Sequence, residues 1–167
     1  MATPSKEWQK IRAEDREIIE RHLTQVPVRL GELATALGID VKISSLPLNI
    51  SGQISRTQDG YEIKINRHES RQRQRFTLAH ELAHFLIHRD TIDRLGGTLK
   101  DNVLYRSGAP ENIEYEANRL AAQIVMPEAA LRQEQAKYGN QISEAVVDLL
   151  AEHFGVSKAA MEIRMAA

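Results

Sequence analysis

The sequence predicts an α+β fold, with a small three-stranded antiparallel sheet packed against a long central helix and its neighbours, followed by a helical C-terminal part. Three observations lead there. The apolar period changes after Gly38, and an Asp59-Gly60 pair separates two short alternating segments. Residues 75 to 90, RFTLAHELAHFLIHRD, are apolar nearly all round a helix while carrying three histidines at intervals of four.

In chain order, residues 5 to 23 place Trp8, Ile11, Ile18, Ile19 and Leu23 near one face of a docking helix with a charged outer face, and Ser5 after Pro4 is its N-cap. A second helix over VRLGELATALG stops at Gly38, which suits the left-handed position at a helix end. VKISSL (41 to 46), QISRT (53 to 57) and YEIKIN (61 to 66) read as strands. In the third, Tyr61, Ile63 and Ile65 alternate with Glu62 and Lys64, so one face is buried. The central helix begins between Ser70 and Phe76 and runs to about His88. Residues 90 to 110, with three glycines and a proline, are expected to form a loop bordering the active site. Further helices follow over ENIEYEANRLAAQIV, closed by Pro127, PEAALRQEQAKY, SEAVVDLLAEHF and SKAAMEIRM, the last capped by Ser157. Residues 1–127 are therefore expected to form one domain, with 128–167 as a helical subdomain packed on it.

Composition narrows the chemistry. With 42% hydrophobic residues the 167-residue chain can bury a core. It has no cysteine, so a transition-metal site must be built from histidine and carboxylate. The N-terminus, MATPSKEWQK, has no signal-like apolar core, and no apolar run approaches the ~20 residues of a membrane span, so a cytoplasmic location without membrane contact is expected. Net charge is −1. From Glu128 onward, Arg132, Lys137, Lys158 and Arg164 face a larger number of acidic residues, which speaks against direct nucleic-acid binding.

His80-Glu81-Leu82-Ala83-His84 is an H-E-x-x-H motif. Residues four apart are neighbours on a helix, so His80 and His84 can both reach one zinc ion, and Glu81, one step round, can act as a base on water. The bland alternative is an amphipathic helix with partly exposed histidines. A helix this apolar is mostly buried, however, and buried histidines need partners that a metal supplies. His88 repeats the spacing but lies ~12 Å along the axis from His80, and it is read as a supporting residue beside the ligands. Asp90 is a weaker third-ligand candidate, because Ile87 stands where related arrangements turn on glycine. The better one is Glu114 on the next helix, with Asn118 at i+4 as its supporting neighbour and Ala117, Ala121 and Ala122 permitting close helix packing. Glu116 is its rival, about 200° round the same helix.

RFTLAHELAHFLIH followed by IEYEANRLAAQIVMP closely resembles the ImmA/IrrE family of metallopeptidases, and the similarity extends upstream through YEIKIN and LGELATALGI, over roughly residues 25 to 130. The resemblance implies a zincin-like minimal peptidase fold, with His80, His84 and Glu114 as zinc ligands and Glu81 as the base. It also implies an intracellular endopeptidase that cuts a helix-turn-helix repressor, in a setting of stress response and transcription regulation. Ala83 stands where many members have glycine. Longer relatives carry a further sensory domain, for which this chain is too short.

Two more expectations attach to this reading. A strand beside the central helix, with residues 61 to 66 the candidate, would hold an extended substrate by edge pairing. Tyr105, Arg106 and Tyr115 are candidates for stabilising the oxyanion. The C-terminal Ala151/Gly155 spacing is that of a helix-turn-helix, and a structural or substrate-docking role is preferred for it. The competing class is a DNA-binding, adaptor or toxin-antitoxin component with a structural or vestigial zinc site.

Overall fold

Val41, Ile63, Ile54 and Leu99 form one row across four strands, each paired in register with the next. The computed structural model that shows this describes residues 3–102 and 111–167. The strands are β1 (Ile39–Ser44), β2 (Ile50–Arg56), β3 (Tyr61–Asn66) and β4 (Thr98–Asn102), in spatial order β1-β3-β2-β4. The sheet thus has four strands and is mixed, where three antiparallel strands were expected: β3 runs parallel to β1 and antiparallel to β2, and β4 is antiparallel to β2. The expected β2–β3 hairpin is present, with Thr57 N donating to Gly60 O across its turn.

The fourth strand comes from the segment read as a loop. It holds α5 (Arg89–Arg94) and then β4, turned by Gly96 and Gly97, both with positive φ. Two apolar residues explain it: Ile92 and Leu99 are buried, and burying each such side chain contributes about 1.5–3 kcal/mol. Because β3 lies between β1 and β2, its backbone edges are both occupied. Edge pairing of a substrate on residues 61 to 66 is therefore ruled out, and among the described residues the sheet's edges are β1 and β4.

The N-terminal helix is broken in two, α1 (Lys6–Gln9) and α2 (Ala13–His22), because Arg12 adopts an extended conformation. Ser5 caps α1 as expected, accepting from Trp8 N. The Arg16 guanidinium donates to the carbonyls of Trp8, Gln9 and Ile11, which satisfies the chain at the break. Its charged residues are also not all outward: Glu7 and Asp15 are buried, against Arg119 and Arg89 respectively. α3 (Leu30–Ala36) ends at Gly38 with φ 77, as read.

One face of the sheet carries α4 (Arg71–Ile87), capped by Ser70, whose hydroxyl accepts from Arg73 N. The contact is close. A Cβ on Gly52 of β2 would stand 2.6 Å from Thr77 Cγ2 of α4. On its other side α4 packs against α6 (Glu111–Val125), where Ala79, Ala83, Ala117 and Ala121 are fully buried and Ala122 partly so. Small side chains let the helix axes approach, and every residue of α4 from Ala79 to Leu86 is buried.

The chain continues through α7 (Glu128–Gln135), a short 3₁₀ turn at Ala136–Tyr138, α8 (Glu144–Phe154) and α9 (Lys158–Ala166). Leu131, Leu150, Phe154, Val156 and Met161 belong to the same core cluster as the sheet. α8 and α9 form a helical pair, joined through Gly155 with φ 69 and capped by Ser143 and Ser157; the helix-turn-helix-like character expected from the Ala151/Gly155 spacing is not shown. No described helix is long and apolar enough to cross a membrane.

Candidate metal centre

Burial of α4 removes its histidines from water. His80, His84 and His88 are each at most 5% exposed, and Glu81 is fully buried. α6 crosses close enough, over its alanines, to bring Glu114 against the first two. Glu114 Oε2 lies 3.1 Å from His80 Nε2, Glu114 Oε1 lies 3.4 Å from His84 Nε2, and the two Nε2 atoms are 3.0 Å apart. Two imidazole nitrogens and one carboxylate therefore converge on one point.

These separations test whether a metal fits. Ligand atoms ~2.0–2.1 Å from a tetrahedral ion lie about 3.3 Å from one another, close to the 3.0–3.4 Å observed here. Two imidazole nitrogens and a carboxylate also suit zinc by chemistry. His80 Nδ1 lies 2.8 Å from Asn118 Oδ1, an acceptor, so the ring proton sits on Nδ1 and Nε2 presents its lone pair to the centre. The residues present fit the group.

Electrostatics agree with this arrangement. Burial pushes His84 down to about 4, outweighing the opposing pull of the Glu114 carboxylate beside it. Burial alone would raise Glu114, but the His80 and His84 imidazoles beside it prevail and hold it well below the usual carboxylate range. The centre keeps a neutral His84 imidazole beside an ionised carboxylate, the states a cation requires.

The structure brings His80, His84 and Glu114 together as a group able to hold a metal ion. Asp90 is exposed on α5 and takes no part in that group. Glu116 does not compete for the centre. Its Oε1 lies 3.2 Å from His88 Nε2, and its Oε2 pairs with Lys10. His88 Nδ1 in turn stands 3.0 Å from His84 Nδ1. The role of Lys10 was missed altogether, for nothing in the sequence links it to a residue over a hundred positions away. Tyr115 is exposed, with Arg119 over its ring. Tyr105 and Arg106 lie outside the described residues.

Residues 34–166 match the family model of the IrrE N-terminal-like domain, peptidase group M78. The chain belongs to this family. The membership is one of metallopeptidases, and the match runs from α3 through the strands and α4 to the end of α9. No curated protein matches the chain significantly. Among solved structures, a Mycobacterium tuberculosis transcriptional regulator is similar in fold, with a TM-score of 0.58 and 20% sequence identity over 94% of this chain and 48% of that one. The chain thus spans about half the length of that regulator.

Proposed function

We propose that this IrrE-like chain is a zinc-dependent endopeptidase that cuts a peptide bond in a protein substrate, with His80, His84 and Glu114 as metal ligands and Glu81 as general base. The observation that carries the reading is the convergence of His80 Nε2 and His84 Nε2, 3.0 Å apart, on the Glu114 carboxylate, whose two oxygens lie 3.1 and 3.4 Å from them, beside a buried glutamate. The ion supplies Lewis acidity, polarising a carbonyl and easing loss of a proton from water. Glu81 takes the proton from the attacking water as the new C–O bond forms. It then passes that proton to the nitrogen of the breaking C–N bond, so the free amine leaves neutral. Glu114 and the two imidazoles hold their lone pairs inward, and the alanine-lined contact of α4 with α6 keeps them there.

The substrate we infer is a helix-turn-helix repressor. This rests on the family resemblance, and the transcriptional regulator sharing the fold is in keeping with it. The division into a peptidase domain (1–127) and a helical part (128–167) is also proposed, α8 and α9 serving to support the fold or dock the substrate rather than bind DNA. Metal analysis is expected to find about one zinc per chain, falling sharply in His80→Ala; zinc unchanged in that variant removes the ligand assignment. Co-expression with a candidate repressor should yield a cleaved fragment that is lost in Glu81→Gln. Cleavage surviving in Glu81→Gln would dismiss the base, whereas zinc held without any cleavage by the native chain would favour an adaptor with a structural site.

A further inference from the structure

His84 turns Nε2 to the centre, so if that atom offers a lone pair, the single proton of its neutral ring sits on Nδ1. Nδ1 faces not water but another ring nitrogen, His88 Nδ1, at 3.0 Å. Two imidazole nitrogens at that distance can bond only if one donates and the other accepts. With His84 donating, His88 must accept at Nδ1 and carry its own proton on Nε2. That proton faces Glu116 Oε1 at 3.2 Å, and an ionised carboxylate only accepts. Every bond in the row therefore points the same way, from His84 through His88 to Glu116.

The far end of the row is anchored by a charge from a different part of the chain. Lys10, just past α1, pairs with Glu116 Oε2. Its helix is seated along α6 by Ser5 Oγ donating to Gln123 Oε1 at 2.8 Å and by Glu7 Oε1 lying 3.5 Å from Arg119 Nε. Gln123, Arg119 and Glu116 are spaced by about one helical turn, so α1 runs against one stripe of α6. Lys10 lies outside residues 34–166, which the family model covers.

We propose that Lys10 and Glu116 are positioning residues for the metal ligand His84, acting through His88: the carboxylate fixes the His88 tautomer, and His88 fixes that of His84. The inference rests on the proposed metal centre for its consequence, but Glu116 accepting from His88 Nε2, and His88 Nδ1 in turn from His84 Nδ1, ask the same tautomers of the metal-free protein, where they can be read without metal. Partners one step behind a ligand typically set metal affinity by about 10–100-fold, because they orient the ring and raise its basicity.

The test combines nitrogen-15 NMR of the imidazoles in metal-free protein with zinc affinity measured by chelator competition. The native chain should show His84 protonated at Nδ1 and His88 at Nε2. In Glu116→Leu both rings should become tautomer mixtures, and zinc should bind at least about tenfold more weakly. Lys10→Met keeps the aliphatic stem, so it should move the His88 ring signals and weaken zinc less, and Lys10→Arg should restore both. A native His84 protonated at Nε2 overturns the proposal. So does Glu116→Leu with native ring signals and native zinc affinity. Should Glu116→Leu fail to fold, Lys10→Met decides, because that side chain is half exposed; unchanged ring signals and affinity there overturn the proposal equally. A native chain with the stated tautomers but no zinc binding would uphold the row and remove the metal reading instead.

Discussion

Asn118 Oδ1 stands 2.8 Å from His80 Nδ1, so a residue of α6 decides which nitrogen of an α4 histidine is bare. Replacing Asn118 by Leu removes that acceptor, and metal affinity should fall by about 10–100-fold. Asn118→Asp keeps an acceptor at the same place and should recover much of the loss. Chelator competition measures both, and equal affinity for the Leu and native forms would deny Asn118 this role.

Acid should destabilise the metal-free protein. An unfolded histidine titrates near 6.5, whereas burial holds folded His84 at about 4 and lowers His88 as well. Between these values the unfolded chain takes up protons that the folded chain refuses. Stability is therefore level above pH 6.5 and falls as the pH drops towards 4, approaching about 1.4 kcal/mol per pH unit for each such histidine. Glu114, held low when folded, adds a loss below its ordinary value of 4.5. Urea midpoints of chelator-treated protein from pH 7.5 to 5 should show the decline, and His84→Leu should make it shallower; an unaltered slope in that variant would place the proton uptake elsewhere.

Gly52 sets how near the sheet comes to α4. A Cβ there would meet Thr77 Cγ2 at 2.6 Å and Lys64 O at 3.0 Å. Gly52→Ala should cost about 1–3 kcal/mol by overpacking. Combining it with Thr77→Ser, which deletes the offending methyl, should return part of that stability. If urea unfolding finds the single variant as stable as the native chain, the contact is softer than stated.

Asn66, buried at the end of β3, holds the turn that precedes β2. Its Nδ2 lies 3.2, 3.1 and 2.8 Å from the carbonyls of Leu46, Pro47 and Ile50, and its Oδ1 accepts from Leu46 N and His68 N. Asn66→Ala should lose about 2–3 kcal/mol, since buried backbone groups are left without their bonds. Asn66→Asp should be worse, because it aims negative charge at carbonyl oxygens. Thermal unfolding ranks the three, and an Ala variant within about 0.5 kcal/mol of native would contradict this account.

What the sequence made legible was local. Ser70, Ser143 and Ser157 announce helix starts, Gly38 and Gly155 announce ends, and the Asp59-Gly60 turn announces a hairpin, each because the signal lies within four residues of its effect. The grouping of His80, His84 and Glu114 was readable for the same reason, as the i, i+4 spacing sets two of them side by side and a second helix with small residues brings up the third. Partnerships over long separations were not. The parallel β1–β3 pairing depends on which edge of the hairpin meets β1, and β4 hid among glycines because only Leu99 carries its apolar signal. Lys10 could not be foreseen at all, since an exposed lysine in a charged helix looks like solvated surface.

The interleaving of β1, β3 and β2 also sets an order of events. Strands β2 and β3 are joined by a short turn and can pair as soon as both exist, but β1 has its only described strand partner in β3, which follows after the whole of β2. As the chain leaves the ribosome, Ile39–Ser44 must wait until Tyr61–Asn66 has emerged. The hairpin is then the template on which β1 docks, and β4 closes the opposite flank only after α4 and α5 have been made.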